Sequence, residues 1–387
     1  MNIAITGIGS ISPLGTNKSD IWSSYKSQNS LIKNKLIDGK SELVAPLTKL
    51  GETMLDLLKQ ERRTYTSLDR SVLLSIIAAR NCYLDAKWNE HVGVNISSSR
   101  GATETFEKNH EDFLKFGKVS SHCSPTTTLG NISSWVAQDL KLKAISIENS
   151  MTCSSAFHAL LNGISWIESG LVNHFIFGGS EAPLTPFTLA QMKALKIYRN
   201  DFDQHYPCKP FGSDNSGMVL GEGSCVMSLE KMKSNMKVHG IIESIGFGIE
   251  NISSPTSISS DGVGLENSMK SAIEKMSTPK LPEVVITHAP GTRKGDSAEL
   301  NAIKKVFPDL PILTSNKWLI GHTLGASAAF SLEYALYILK NNEYIDFPYK
   351  TIFEKPKKNI EKINKVLINA TGFGGNCVSV VVTRPNL

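Results

Sequence analysis

The sequence predicts an α/β fold built twice, and three observations lead there. Strand-like apolar runs alternate with helix-like runs through most of the 387 residues. The alternation restarts after the polar, basic stretch "KSNMKV" at 233–238. Two helix-like segments, "SSAFHALLNGISWIESG" and "ASAAFSLEYALYILKNN", also share a design: small residues first, then a Phe, then apolar residues at helical spacing. Together these place a division at residues 1–236 and 237–387.

The elements follow in order. "NIAITG" reads as a buried strand, "SVLLSIIAARNCYLDA" as a helix, "HVGVNISS" as a strand and "ISSWVAQDLKL" as a helix. "AISIENS" alternates as a strand does, and the helix after it ends at Gly170. "HFIFGGSEA" and "GSCVMSLEKM" close the first part as strands. The second part runs "HGIIESIGFGIE" (strand), "GLENSMKSAIEKM" (helix), "EVVITHAPG" (strand) and "GDSAELNAIKKVF" (helix, capped by Asp296 or Ser297). A long helix over "ASAAFSLEYALYILKN" follows. "KVLINATGFGGNCVSVVVT" ends the chain as two strands around a glycine turn.

Composition excludes several classes. A net charge of +5, spread along the chain, is too weak for a nucleic-acid binder but allows local basic patches for an acidic partner. No run of about 18 apolar residues suggests a membrane span. The start "MNIAITGIGS" lacks the features of a secretory signal. The six cysteines form no C-x-x-C pair, so neither a zinc site nor a disulfide framework is expected, and a cytoplasmic setting fits.

Five stretches invite chemistry. "TGIGSISPLG" looks like a dinucleotide loop but lacks the third glycine and the later acid, so Gly7 and Gly9 read as turn glycines. Cys153, in "SMTCSSAFHAL", sits where a strand gives way to a helix. Alone it would be a small buried hydrophobe. At a helix N-terminus the dipole and free N–H groups favour its thiolate, and Ser154 and Ser155 are there to cap. His288 ends a buried strand, with Glu299 eleven residues on. Lys317 and His322 lie five apart with Gly321 and Gly325 nearby, which argues for close backbone approach. Phe373 stands in the glycine turn "ATGFGGN". A thiolate accepts an acyl group, imidazoles donate to a developing enolate, and backbone N–H groups form an oxyanion hole. This set suits acyl transfer followed by carbon–carbon bond formation.

These motifs resemble the β-ketoacyl-acyl-carrier-protein synthases of the thiolase superfamily. The likeness covers nearly the whole chain, including "FIFGGSEAPLTPF", "KPFGSDNSGMVLGEGS", "THAPGTRKGDSAE" and "SNKWLIGHTLGAS". It implies a thiolase-like, duplicated α-β-α-β-α layered fold, with the nucleophile in the first half and both histidines and the Phe gate in the second. It also implies catalytic Cys153, His288 and His322, supported by Lys317 and Glu299. Cys153 and Phe373 would supply the oxyanion hole, and Phe373 the gate. No resident cofactor is implied, because the phosphopantetheine arm arrives on the acyl carrier protein. The expected partners are that carrier and a second subunit, as a homodimer or as a heterodimer with a chain-length-factor-like homologue. Arg62 and Arg63 are candidates to dock the acidic carrier.

The sequence departs from the family pattern at "HAPGTRKGD", and Thr371 stands where a phenylalanine is usual. The departures resemble the specialised synthases of aryl-polyene or flexirubin-type pigment clusters. "SPTTTLGN" offers Thr126, Thr127 and Thr128 as a polar lining for the acyl pocket. Two other readings stay in view. A coenzyme A thiolase would need a second acid/base cysteine before the last glycine turn, and Cys377 follows it. A non-catalytic chain-length factor would lack the nucleophile, which this chain keeps.

Overall fold

The computed structural model describes residues 3–86, 88, 91–199, 205–214, 217–254, 259–356 and 360–385. Thirteen strands are present among them: β1 (Ile3–Ile11), β2 (Lys33–Ile37), β3 (Lys40–Ala45), β4 (Val92–Ser97), β5 (Ala144–Ile147), β6 (His174–Glu181), β7 (Leu220–Gly221), β8 (Gly223–Lys231), β9 (Gly240–Ile249), β10 (Val284–Ile286), β11 (Ile312–Thr314), β12 (Lys365–Thr371) and β13 (Asn376–Thr383). Ten of them form one sheet in the order β11-β10-β12-β13-β9-β1-β8-β6-β4-β5.

That order is one pattern written twice. In β5-β4-β6-β8-β1 the first three strands are parallel and the next two pairings antiparallel. In β11-β10-β12-β13-β9 the same holds. The sheet passes from one five-stranded unit to the other where Ile3–Ile5 pairs with Gly240–Ile242. The helix Ser327–Asn341 packs on β12 and β13 and also on β6 and β8, so it lies between the units beside the helix Ser155–Glu168. The helix Arg70–Asp85 covers the outer face of β1 and β8, and Val263–Glu274 that of β9 and β13. Helices and sheet units therefore alternate in five layers, and the parallel strands other than the edge strand β5 are buried and apolar throughout much of their length. Outside these layers, β2, β3 and β7 form a small sheet of their own.

Gly7 and Gly9 are not turn residues. They lie inside β1, where a Cβ on Gly9 would stand 2.1 Å from Ala78 O and 2.3 Å from Cys82 N of the covering helix. Gly246 and Gly248 do the same in β9: their Cβ atoms would meet Ser268 O at 2.1 Å and Gly264 O at 2.0 Å. The resemblance to a dinucleotide loop thus arises from close helix–strand packing. The helix expected to be capped by Asp296 or Ser297 begins earlier, at Arg293, with Thr292 at its cap position. Asp296 lies inside its first turn and accepts from the N–H groups of Phe211 (2.8 Å) and Gly291 (3.1 Å). Among the described residues no helix is long and apolar enough to cross a membrane, and all six cysteines are free thiols.

Candidate active site

Cys153 stands on a tight elbow between β5 and the helix Ser155–Glu168. Ser155 Oγ accepts from the Met151 N–H (2.8 Å) and donates to Thr152 O (2.6 Å). Thr152 is held at φ 50°, a left-handed conformation costly for a β-branched residue, and the surrounding bonds hold it there. Ser154, at the cap position, turns its hydroxyl back to Met151 O (2.9 Å) and caps no downstream N–H. The serine caps expected from the sequence are therefore replaced by bonds that brace the elbow.

The thiol's environment also differs from expectation. Burial pushes Cys153 up to about 12, the buried Glu181 carboxylate adds to the rise, and Lys317 works against it. Proximity to a helix start does not leave a resting thiolate here, because desolvation of the charged form outweighs it.

His288 follows β10. Its N–H donates to Glu299 Oε1 (2.9 Å), and the next N–H, of Ala289, donates to Glu299 Oε2 (2.6 Å). Glu299 projects from the helix Arg293–Val306 and takes a third bond from Asn369 Nδ2 (3.0 Å), whose Oδ1 in turn accepts from Ser379 Oγ (2.8 Å). Burial still raises the Glu299 carboxyl above its ordinary range, against these donors and Lys317. Lys317 opens the short helix after β11 and is fully buried. Burial pulls it down to about 8, with Glu299 pulling the other way.

His322 is fixed by its backbone, donating to Val219 O (2.7 Å) and accepting from the Gly221 N–H (3.1 Å). The glycines beside it are required by close approach: a Cβ on Gly321 would stand 2.7 Å from Val219 O, and one on Gly325 2.5 Å from Ser99 N. The His288 and His322 rings meet edge to face, centroids 5.3 Å apart at 83°. Burial first, then Lys317, pulls both imidazoles well below 6.5, and His322 adds to the effect on His288. Both rings are therefore neutral near pH 7.

The last glycine turn reaches over the elbow. Thr152 Oγ1 donates to Phe373 O (3.2 Å). A Cβ on Gly372 would lie 1.8 Å from that same Oγ1, so glycine alone fits there. The Phe373 ring is 41% exposed at the mouth.

One cavity of about 1190 Å³ is lined by Cys153, His288, His322, Glu299, Thr371 and Phe373. Lys317 lies behind the wall, close enough to act on Cys153 and both imidazoles. The structure thus gathers Cys153, His288, His322, Lys317, Glu299 and Phe373. It does not bring in Arg62 and Arg63. They are exposed at the end of the helix Lys49–Glu61, with the Arg62 guanidinium 5.4 Å above the Tyr65 ring. The cationic part of the cavity wall is Arg100, Lys196, Arg199, Arg293 and Lys294 instead. Thr126, Thr127 and Thr128 do not line the cavity either. Their hydroxyls donate to His122 O (2.7 Å), Cys123 O (2.8 Å) and Ser124 O (2.6 Å).

Three residues at the site were not read from the sequence. Glu181, the last residue of β6, is wholly buried and accepts from the N–H groups of Ser99 and Gly325. Asn369 steadies Glu299, and Arg100 lines the cavity. An acid closing an otherwise apolar strand, as in "FIFGGSEA", was the available signal for Glu181. Among the described residues no group of three or more His, Cys, Asp or Glu is arranged to hold a metal ion.

Comparison with known proteins gives one consistent answer. The chain is 27% identical over 414 aligned residues to the 3-oxoacyl-[acyl-carrier-protein] synthase 2 of Coxiella burnetii, covering 99% of this chain and 98% of that protein. It superposes with a TM-score of 0.86, at 20% identity and 99% coverage of both chains, on a type II polyketide synthase structure in which an acyl-carrier protein is in complex with its ketosynthase bound to the hexaketide. It superposes with a TM-score of 0.78, at 21% identity and 99% and 98% coverage, on the ketosynthase ApeO in complex with its chain length factor ApeC from Xenorhabdus doucetiae. Residues 1–235 match the family model of the β-ketoacyl synthase N-terminal domain and residues 239–346 that of its C-terminal domain. With both domains matched in order across the elbow and the histidine pair, the chain belongs to the β-ketoacyl synthase family.

Proposed function

We propose that this protein is a β-ketoacyl-acyl-carrier-protein synthase, an acyltransferase that elongates fatty-acid or polyketide chains by decarboxylative condensation. The observation that carries the reading is the single cavity shared by the Cys153 thiol and two neutral imidazoles, with apolar side chains such as Met192, Leu195 and Leu324 in its wall. First the Cys153 sulfur attacks the carrier's acyl thioester. The carbon–sulfur bond to the phosphopantetheine arm breaks, and the thiol proton ends on the departing thiol. Then malonyl-carrier protein binds, its carbon–carboxylate bond breaks, CO₂ leaves and an enolate remains. The enolate carbon attacks the acyl group, and Cys153 leaves and regains a proton.

Neutral imidazoles suit the second step, since each offers an N–H to the enolate oxygen. His322 Nδ1 is buried without a hydrogen-bond partner, which favours placing the ring proton on Nε2. Glu299 holds the backbone of His288, and burial, reinforced by Lys317, keeps both rings unprotonated. The N–H groups of Cys153 and Phe373 form the oxyanion hole, with the Phe373 ring as gate. Because the resting thiol is protonated, acylation also depends on the polar set around it, so the two steps share residues more than the sequence suggested.

No resident cofactor enters this scheme, since the phosphopantetheine arm is part of the substrate. Residues 1–236 and 237–387 act as the two halves, and a cytoplasmic setting suits the acyl-carrier substrate. The acyl carrier protein is the partner, by likeness to the ketosynthase–carrier complex, and Arg62 and Arg63, outside the cavity, contribute to docking. The chain works as a dimer, with a second copy or with a chain-length-factor-like homologue. β5 ends the sheet with Ile145 exposed, and the helix Thr103–Phe116 exposes Phe106, Phe113, Leu114 and Phe116. The pathway is specialised, of polyketide or aryl-polyene type. The test is condensation itself: incubation with acyl- and malonyl-carrier proteins should yield the β-ketoacyl product and CO₂ in equal amounts. Cleavage of a coenzyme A β-ketoacyl thioester instead would favour a thiolase.

A further inference from the structure

We propose that Glu333, set between the two sheet units, is a pH-sensitive lock: it holds a proton in the closed fold, and losing that proton opens the contact between β1 and the helix Ser327–Asn341 to water. Glu333 lies in the middle of that helix, the one packed on both units. It is 1% exposed. Its Oε1 accepts from Ser10 Oγ of β1 at 2.6 Å, which ties the helix to the strand. Its Oε2 is buried with no hydrogen-bond partner. The helix starts five residues after His322, so the lock stands behind the histidine elbow.

The groups facing Glu333 offer little to balance a negative charge. β1 brings only the Ser10 hydroxyl. β8 brings Cys225, the helix Lys18–Ser27 brings Tyr25, and the helix of Glu333 itself brings Tyr337 one turn on. Burial holds all three well above their ordinary values, so they are neutral. The Tyr25 and Tyr337 hydroxyls are also buried without a hydrogen-bond partner. Tyr334 stacks on Tyr25 with centroids 4.3 Å apart and turns its hydroxyl to Ile345 O. Lys18 is the charged group that acts on Glu333, but its Nζ pairs with Asp85 at 2.5 Å. Asp85, which acts on Tyr337, also holds Lys237 at 2.7 Å and His239 at 2.6 Å.

A carboxyl group with one donor and no ion pair, closed off among aromatic rings, is held more cheaply as a neutral acid than as an anion. Burial accordingly carries Glu333 up to about 7, against Ser10 and Lys18. The folded chain therefore keeps a proton, between the ordinary carboxyl value of 4.5 and about 7, that the unfolded chain has lost. Stability contributed by this group falls as pH rises across that window, and above it the cost of burying the charge is full. A cavity of about 550 Å³ offers the relief. It is lined by Ser10, Lys18, Asn81, Asp85 and Glu333, so water standing in it reaches the edge of the Ser10–Glu333 contact. Ionisation draws that water inward and parts the strand from the helix, a local opening that leaves the rest of the fold in place.

The test compares the full-length wild type with Glu333→Gln, which is neutral at every pH and keeps an acceptor for Ser10. Glu333→Met, neutral and of similar length, repeats the comparison should the amide misfold. Tm and hydrogen exchange are read at about pH 5 and about pH 8, on either side of the window. At the lower pH the variant and the wild type should melt together. At the higher pH the variant should melt a few degrees above the wild type. There the wild-type peptides covering residues 3–11 and 327–341 should exchange about tenfold to a hundredfold faster than those of the variant, with other peptides unchanged. A Tm gap of the same size at both pH values overturns the lock and leaves Glu333 a packing residue. A gap that favours the variant only at the lower pH reverses the sign and also overturns it. Equal exchange of the two peptides at the higher pH, whatever the Tm, overturns the opening of the contact.

Discussion

The two five-stranded units repeat one strand order, yet they load the ends of equivalent strands with different chemistry. β5 and β11 are counterparts by sheet position. After β5 comes Thr152 at φ 50° and then Cys153; after β11 come Lys317, His322 and Leu324 at φ 43°. Each strand thus leads to a strained elbow and a central helix, one carrying a sulfur and the other an imidazole. β4 leads to Arg100 where its counterpart β10 leads to His288. β6 ends at Glu181 where β12 leads to Phe373. The first half therefore holds a thiol that burial and Glu181 keep protonated. The second holds imidazoles that burial and Lys317 keep neutral. The lesson is that duplication supplied the frame and divergence at strand ends supplied the reaction, with neither half holding a complete site.

The sharpest way to break this division of labour is on the second half. His322→Ala or His288→Ala should slow decarboxylation of malonyl-carrier protein by about 10²–10³, the cost of one oxyanion donor, roughly 2.7–4 kcal/mol. Loss confined to acylation, with decarboxylation at the normal rate, would place the imidazoles in the wrong step.

The shared frame is tested by matched glycines. Gly9→Ala and Gly248→Ala each force a methyl onto helix backbone within about 2.1 Å, and should each destabilise by about 1–3 kcal/mol or more in urea titration. A neutral result in one half only would break the packing equivalence.

A smaller effect concerns Lys317. Its folded value, about 8, lies below the ordinary lysine value of 10.5, so between those pH values the unfolded chain holds a proton that the folded chain has lost. Stability contributed by this group therefore rises with pH across that window, and its burial cost is full below it. Lys317→Met should raise Tm below pH 8, with the gain shrinking towards pH 10.5, while condensation falls. A gain that grows with pH would reverse the sign. The smallest effect is expected at Arg62 and Arg63, outside the cavity wall. Reversing both charges should raise the carrier-protein KM a fewfold and reduce its salt dependence, leaving kcat unchanged.

Much of this was legible in the sequence wherever periodicity was strong. The buried strands β1, β4, β6, β8, β12 and β13 and the helices Arg70–Asp85, Ser155–Glu168 and Ser327–Asn341 announce themselves by apolar spacing. The β2–β3 hairpin did not, because Lys33–Ile37 is short and largely exposed. The helix Thr103–Phe116 was hidden by its polar composition. Gly7 and Gly9 were misread because a glycine that admits a helix and a glycine that makes a turn look alike in one dimension. Cys153, His288, His322 and their supports were readable from residue type and position. The raised thiol was not, since burial and Glu181 act through contacts distant in sequence. Arg100 escaped notice for the same reason: an arginine after a strand gives no sign that it lines a cavity.

The central claim, that the first half contributes the nucleophile and Cys153 is that residue, is tested most directly by mapping the covalent adduct. Wild type and Cys153→Ala are incubated with acyl-carrier protein without malonyl donor, and the intact masses and digested peptides are recorded. One acyl group per chain is predicted, on the peptide containing Cys153, with none on the alanine variant at an unchanged Tm. An acyl adduct on Cys153→Ala, or on Cys123, Cys208 or Cys377 of the wild type, would contradict the account.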